Sequence, residues 1–380
     1  RRLLRILFVV NSLEHGGAER HTITLFNRLA ERGHECHAAF IKNRRDQLER
    51  IRLRRGGTLR SLDARRFLDW RAVDDLARAL SGARPCLVVA ANEYALMYSA
   101  LALRRSGLRV PLVVTFHATR LIGVKEQLKM LACVPLFWRA DCAVFVCSAQ
   151  RRRWLRRGVL SRRNEVIYNG VDTDEFSADR RSAERGRVRS ALGLEETDYV
   201  IGVAAALRPE KNHVQLVDAV ASLRERGIPA HALLIGDGET RGAVEARARD
   251  RGVSGHVTIT GFLSDVRPCV QACDTVALCS VTEAFSLAAL EAMALRKPVV
   301  HSRVGGAEEM IIPGWNGYLY PAGDLDALVR KLALLADRSL ARRMGRNARN
   351  TVEQWFSERS MVERYERLLL ELAELQSETR

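Results

Sequence analysis

Apolar residues recur along this chain with two periods. Runs at 3–10 (LLRILFVV), 35–41 (ECHAAFI), 86–90 (CLVVA), 111–116 (PLVVTF), 142–147 (CAVFVC) and 165–168 (EVIY) are nearly continuous, which predicts strands of a parallel sheet covered on both faces. Helix-length segments lie between them. In the segment over 18–32, Ile23, Leu25, Phe26, Leu29 and Ala30 fall near helical spacing, and Gly33 ends it. The second half repeats the rhythm, with strands at 199–206, 230–235, 257–260, 275–279 and 298–301 and helices over about 212–226, 240–251 and 285–295. Three more helices are predicted over about 324–336, 339–355 and 357–376, the last with Met361, Tyr365, Leu368 and Leu369 on one stripe.

A chain of 380 residues exceeds one comfortable core, so the alternation predicts two doubly wound, Rossmann-like α/β domains. We place them at 1–176 and 177–356, with residues 357–380 as a helix crossing back to the first, and the polar, arginine-rich stretch 179–190 as the linker. Open α/β sheets bind ligands beyond the carboxyl ends of their strands, so substrates are expected to meet between the domains. No repeat or low-complexity tract is evident.

Composition narrows the class. With 47% hydrophobic and 28% charged residues, the chain reads as globular. No apolar run reaches the roughly 20 residues of a membrane helix; the longest candidate, from Leu131, carries Arg139 and Asp141 in its middle. The opening RRLLRILFVV has the basic start of a signal peptide, but its short apolar part runs into NSLEHGG, and it reads as a first buried strand. Eight cysteines lie mostly in strand-like runs with no CxxC pair, which favours reduced thiols and a cytoplasmic setting. The spacing of Cys269, Cys273 and Cys279 does not suit zinc. Net charge is +16 and uneven: residues 1–170 hold 33 Lys+Arg against 14 Asp+Glu, a balance of +19, and the remainder balance at −3. A basic half suits an anionic acceptor or an anionic membrane surface, or is a plain solvated surface. Nucleic acid is not an expected partner, because interleaved aromatics and a recognisable motif are missing.

The candidate chemistry centres on Glu283 and Glu291. The first follows the strand TVALC; the second lies one to two turns into the next helix. Between them the amides around Phe285, Ser286 and Leu287 are the orphan donors of a helix N-terminus, a seat for a diphosphate. Glu283 would stand beside the phosphates and leaving sugar, and Glu291 could accept two ribose hydroxyls. The plain alternative is that Glu283 caps the helix and Glu291 is solvated. Lys211 follows the first strand of the second domain and could reach the same diphosphate. Gly16 and Gly17, just past the first strand, would let backbone approach a ligand, or form an ordinary turn. His117 ends a predicted strand and could equally be a hydrogen-bonded structural histidine. Asp172 and Asp174 form a DxD pattern, but they lie in the connection NGVDTDEF, and we assign them no metal.

The stretch EAFSLAALEAMALRKPVVHSRVGGAEEMIIPGWNGYLYPAGD (283–324) resembles the C-terminal signature of the retaining GT-B glycosyltransferases of family four, which includes bacterial enzymes of surface polysaccharides. IYNGVDTDEF (167–176), LRPEKN (207–212), LIGDGE (234–239) and HGGAER (15–20) are similar to further motifs of that family, in its order. The resemblance implies a GT-B fold, two Rossmann-like domains facing a central cleft, and transfer of a hexose from a UDP- or GDP-sugar, UDP first, with retention. It implies a saccharide or lipid-linked acceptor, surface polysaccharide or lipopolysaccharide synthesis, no required cofactor or metal, and a cytoplasmic enzyme with peripheral contact at the inner face of the membrane. Within that frame His117, Glu283, Lys211 and Arg208 are catalytic, and Gly16, Gly17, Gly236, Phe262, Phe285, Ser286, Leu287, Glu291 and Glu309 bind the donor. Phe262 would border the base. The family arginine five residues before the lysine is Ala206 here, with Arg208 the nearest substitute, and the residue after His117 is Ala118 where an aspartate is common. A nucleotide-sugar epimerase or a phosphorylase of the same architecture is the alternative enzyme.

Overall fold

The computed structural model describes residues 2–14, 16–54, 56–118, 124–177 and 184–378. It divides into two compact units, Arg1–Tyr168 with Met361–Arg380, and Asn169–Ser360.

The first unit is built on seven parallel strands, β1 (Arg5–Val10), β2 (Glu35–Phe40), β3 (Leu59–Ser61), β4 (Leu87–Ala91), β5 (Leu112–Phe116), β6 (Cys142–Phe145) and β7 (Arg163–Val166), in the order β3-β2-β1-β4-β5-β6-β7. Successive residues of each strand face opposite sides. Leu7, Val9, Val88, Val114 and Phe145 meet helices α2 (Trp70–Ala83), α3 (Asn92–Ser106), α4 (Val124–Phe137) and α5 (Ser148–Leu155). Ile6, Phe8, Val89, Val113 and Val144 meet α1 (Gly17–Glu31) and the last helix, α14 (Glu358–Glu378), through Phe26, Tyr365 and Leu368. A buried polar clasp adds to this face. The Leu4 amide donates to His34 Nδ1 at 3.0 Å, so the ring proton sits on Nε2 and is given to Glu366 at 2.9 Å, while Arg32 donates to the other Glu366 oxygen at 2.6 Å.

The second unit carries β8 (Tyr199–Ala204), β9 (Ala230–Ile235), β10 (Val257–Ile259), β11 (Thr275–Leu278), β12 (Val299–Ser302) and β13 (Gly317–Tyr320), all parallel, in the order β10-β9-β8-β11-β12-β13. Helices α6 (Glu184–Ala191), α7 (His213–Glu225), α8 (Arg241–Asp250), α9 (Arg267–Ala272), α10 (Leu287–Ala294), α11 (Ala307–Met310), α12 (Leu325–Leu335) and α13 (Arg338–Trp355) cover it. Among the described residues no helix is long and apolar enough to cross a membrane. The apolar run from Leu131 is the end of α4 followed by β6.

Three details differ from the sequence reading. Strands β3 and β13 were not predicted, the one a three-residue edge strand and the other hidden inside a motif. Strand β7 starts two residues earlier than expected, because its register is set by the pairing Cys142↔Arg163. Part of the expected linker, 179–183, lies outside the described residues, and the rest is α6. Two of the helix's arginines are anchors. Arg189, 1% exposed, donates to Asp274 at 2.8 Å and to the Ala272 and Glu195 carbonyls at 2.9 Å each, and Arg185 holds the other Asp274 oxygen at 2.9 Å.

Arg189→Met is therefore expected to lower stability by about 3 kcal/mol, since removing one partner of a buried pair strands the other. The exposed neighbour Arg187→Ala should cost less than about 0.5 kcal/mol. Urea denaturation measures both, and equal midpoints would show that α6 is held by apolar contact alone.

Candidate functional site

In the second sheet the strand order reverses between β8 and β11, and the loops leaving their carboxyl ends lie side by side. The Val281 amide donates to the Glu210 carbonyl at 2.8 Å, tying the loop after β11 to the turn Pro209–Lys211. Lys211 ends that turn, and its ammonium donates to Glu283 Oε2. The Ser280 hydroxyl stands 3.5 Å from the same oxygen. Both members of the pair are partly buried, so their attraction is screened less than at a surface.

Two histidines missed by sequence reasoning border the pair. His301, fully buried at the end of β12, has its pKa lowered by burial, with Glu283 opposing and Lys211 reinforcing that shift. His213 opens α7 buried, and burial, with the charge of Lys211, pushes it down to about 4. His301 lies inside the stretch 283–324 and His213 directly follows LRPEKN, but neither is among the residues named for the site. Only the fold shows that the end of β12 adjoins the turn after β8.

The approach to α10 is held from three sides. Ser286 caps the helix, accepting from the Ala289 amide at 3.3 Å, so Glu283 is not its cap. Phe285 is buried with its ring against Phe356, centroids 5.3 Å apart, and Asn169 donates to its carbonyl at 3.0 Å. The side chain of Phe285 thus belongs to the core, which leaves only its backbone for a ligand. At Gly305 the φ is +56°, and a Cβ there would collide with the carbonyl oxygen of Glu283. The next amide, Gly306, donates to the Ala284 carbonyl at 2.8 Å, so the glycine pair braces the loop that carries Glu283. Leu287 is the first residue of α10, and Glu291, only 4% exposed, lies on the same helix. That burial overturns the solvated-surface alternative for Glu291.

Other expected residues are placed as follows. Gly236, with φ +151°, passes so close to the Ala205 carbonyl that a Cβ would strike it. Glu309 lies partly buried in α11, three residues beyond Gly306. Phe262 is 64% exposed in the loop after β10. Arg208 is exposed, and among the described residues its guanidinium has no partner, so the structure does not gather it with Lys211 and Glu283. The Asp172 carboxylate accepts from the Asp174 and Glu175 amides at 2.9 Å each, which closes a turn.

In the first sheet the order reverses between β1 and β4. Asn92, the first residue of α3 with φ +65°, accepts the His117 amide at 2.8 Å, and this fixes the backbone at the end of β5. The His117 ring stands edge-on to His21, centroids 4.6 Å apart, and His21 in turn meets Tyr365 at 5.4 Å. Burial pushes His117 down to about 4, so it is neutral at pH 7. His15 lies outside the described residues, and the two glycines after it are not demanded by their own chain. Gly16 has an extended φ of −156°, with only the movable Glu19 carboxylate near a would-be Cβ, and Gly17 faces open space.

Comparison with known proteins agrees with this geometry. Residues 15–175 match the family model described as Glycosyltransferase Family 4, and residues 184–351 match the one described as Glycosyl transferases group 1. The chain is 29% identical to the lipopolysaccharide core biosynthesis glycosyltransferase LpsE of Rhizobium meliloti, over 93% of this chain and 96% of that one. It is 32% identical to the putative glycosyltransferase EpsD of Bacillus subtilis over 59% of this chain, a match that spans 58% of EpsD's length. Among solved structures, Anabaena HepE in complex with UDP superposes with a TM-score of 0.84 at 24% identity, covering 97% of this chain and all of HepE. Two parallel-sheet units, both family models and these relatives together identify the chain as a GT-B glycosyltransferase belonging to the family-4, group-1 glycosyltransferases.

Proposed function

We propose that the protein moves a hexose from a UDP-sugar to a saccharide or lipid-linked acceptor, with retention at the anomeric carbon, in cell-surface polysaccharide or lipopolysaccharide synthesis. The observation that carries this reading is the Lys211–Glu283 pair, held beside the N-terminus of α10. A diphosphate seated on the α10 amides would draw the Lys211 ammonium onto its oxygens, and the leaving group would depart with its charge met by that cation and by the helix. Glu283, released from the lysine, would then hold hydroxyls of the sugar, with Glu309 further along the same chain segment. Glu291 would accept the ribose hydroxyls. The acceptor oxygen would bond to the anomeric carbon from the face the phosphate leaves, and its proton would pass to the departing phosphate oxygen. Gly16, Gly17 and His117 are proposed to serve the acceptor and the sugar. A neutral His117 would act as a hydrogen-bond partner there. The charge balance of residues 1–170 suits an acceptor that is anionic or sits at an anionic surface.

Relatives support the donor and acceptor classes. HepE has been solved with UDP and with UDP-glucose, and LpsE is named for lipopolysaccharide core synthesis. A Mycolicibacterium smegmatis relative, 32% identical, is GDP-mannose-dependent, so a thermal-shift panel of UDP-, GDP- and ADP-sugars is the direct test of the base. The largest stabilisation is expected from a UDP-sugar.

Lys211→Ala should leave the chain folded and lower transfer by about a hundredfold to a thousandfold, the usual effect of losing one group that stabilises developing charge. Glu291→Ala should weaken nucleotide binding about tenfold, the worth of roughly one charge-assisted hydrogen bond. Full activity in both variants would remove the site. Because His117 is neutral down to about pH 4, the rate profile should show no limb near pH 6.5 that disappears in His117→Gln. Stability carries the opposite signature: below pH 6.5 the unfolded histidine takes up a proton that the folded one refuses. Stability should therefore fall between pH 6.5 and about 4, less steeply in His117→Gln than in the parent.

A further inference from the structure

The end of β12 shapes the loop that carries Glu283. The Ser302 hydroxyl donates to the Ser280 carbonyl at 2.6 Å, and the Ser280 hydroxyl stands 3.5 Å from Glu283 Oε2. Three residues beyond Ser302, the glycine pair braces the backbone of Glu283 and Ala284. His301 immediately precedes Ser302, pairs across the sheet with Leu278 of β11, and is completely buried.

One hydrogen bond fixes the His301 ring. Nδ1 stands 2.7 Å from the Ser302 carbonyl, which can only accept, so in the neutral ring the proton sits on Nδ1 and Nε2 carries a lone pair. Nε2 is buried, and among the described residues it has no hydrogen-bond partner. An unmade bond in a protein interior is expensive, and a buried polar atom left so calls for an explanation. The charges that act on this ring are those of Glu283 and Lys211. Of the two, only the ammonium can serve a lone pair, because a carboxylate has no hydrogen to give. Lys211 has three N–H donors, and Glu283 takes one of them. His213 also feels the charge of Lys211, but both its ring nitrogens lack partners among the described residues, so nothing fixes its tautomer.

We infer that His301 is a positioning residue for Lys211: when a diphosphate draws the ammonium off Glu283, Nε2 accepts one of its hydrogens and holds the cation between imidazole and phosphate. This builds on the reading of Lys211 as the cation of the diphosphate. Without the acceptor, the flexible four-carbon stem of the lysine is free to swing, and a cation that is not held stabilises the leaving phosphate less as its charge develops. Binding of the intact donor is shared with the α10 amides and Glu291, so it depends on His301 less than the chemical step does.

Two amide side chains separate this role from a purely structural one. Asparagine places an N–H where Nδ1 stood and nothing at Nε2; glutamine places an oxygen at Nε2 and forfeits the bond to Ser302. His301→Asn should melt with the parent yet lower kcat about tenfold, the worth of one hydrogen bond to a charged group, with KM for the UDP-sugar changed less than about twofold. His301→Gln should recover most of that rate, to within about threefold of the parent. In a Lys211→Ala background His301→Asn should slow transfer by no more than about twofold, since residues that act through one another do not add. A structural role gives the reverse order, Asn active and Gln impaired, and overturns the inference, as does a full tenfold loss in the absence of Lys211. If either variant fails to fold, the parent itself answers. With isotope-labelled histidine, the His301 Nε2 resonance should move upfield when UDP is added to the parent and stay in place in Lys211→Met; an Nε2 that does not respond in the parent overturns the role. Parental transfer in Lys211→Ala would remove the donor-site reading, whereas a slow Lys211→Ala beside a fast His301→Asn would remove only the part given to His301.

Discussion

The second unit depends on one ion pair and on the backbone that holds it. Lys211 and Glu283 come from loops 72 residues apart in sequence, and they meet only because the order of the strands reverses between β8 and β11. The pair is poised because its surroundings are stiff. Gly305 lies against the Glu283 carbonyl, Gly306 donates to the Ala284 carbonyl, and Val281 donates to that of Glu210. A carboxylate held by an ammonium beside a helix N-terminus keeps a cation ready for a diphosphate without leaving an unpaired buried charge meanwhile.

The same logic explains residues of the motifs that brace the backbone near the pair. Asn169 holds the Phe285 carbonyl, and Gly170 lies so close to the backbone of Glu358 that a Cβ would collide with it. Gly236 lets the loop after β9 cross Ala205. These positions shape the path of the chain near the pair, and their demands are steric.

Much of this was legible from period and spacing. Near-continuous apolar runs gave the central strands of both sheets, because a strand covered on both faces has no polar side to interrupt it. Edge strand β3, with Arg60 exposed, has no such run, and β13 sits where a glycine and two tyrosines read as loop. The arginine-rich stretch was misread because composition does not distinguish a solvated arginine from Arg189, whose guanidinium is spent on Asp274 and three carbonyls. At the site, Glu283, Glu291 and Lys211 were visible as residue types at a strand end and a helix start. His301 and His213 were not, since their nearness to the pair is a property of topology. Arg208 was named as the nearest substitute for the arginine missing at Ala206, and its side chain is exposed.

Calorimetric titration with UDP and with uridine separates the two halves of the donor assignment. If Lys211 meets the diphosphate and Glu291 the ribose, Lys211→Met will lose affinity for UDP and keep that for uridine, while Glu291→Gln will lose both. Binding of UDP to Lys211→Met with the parent's affinity would contradict the account at its centre.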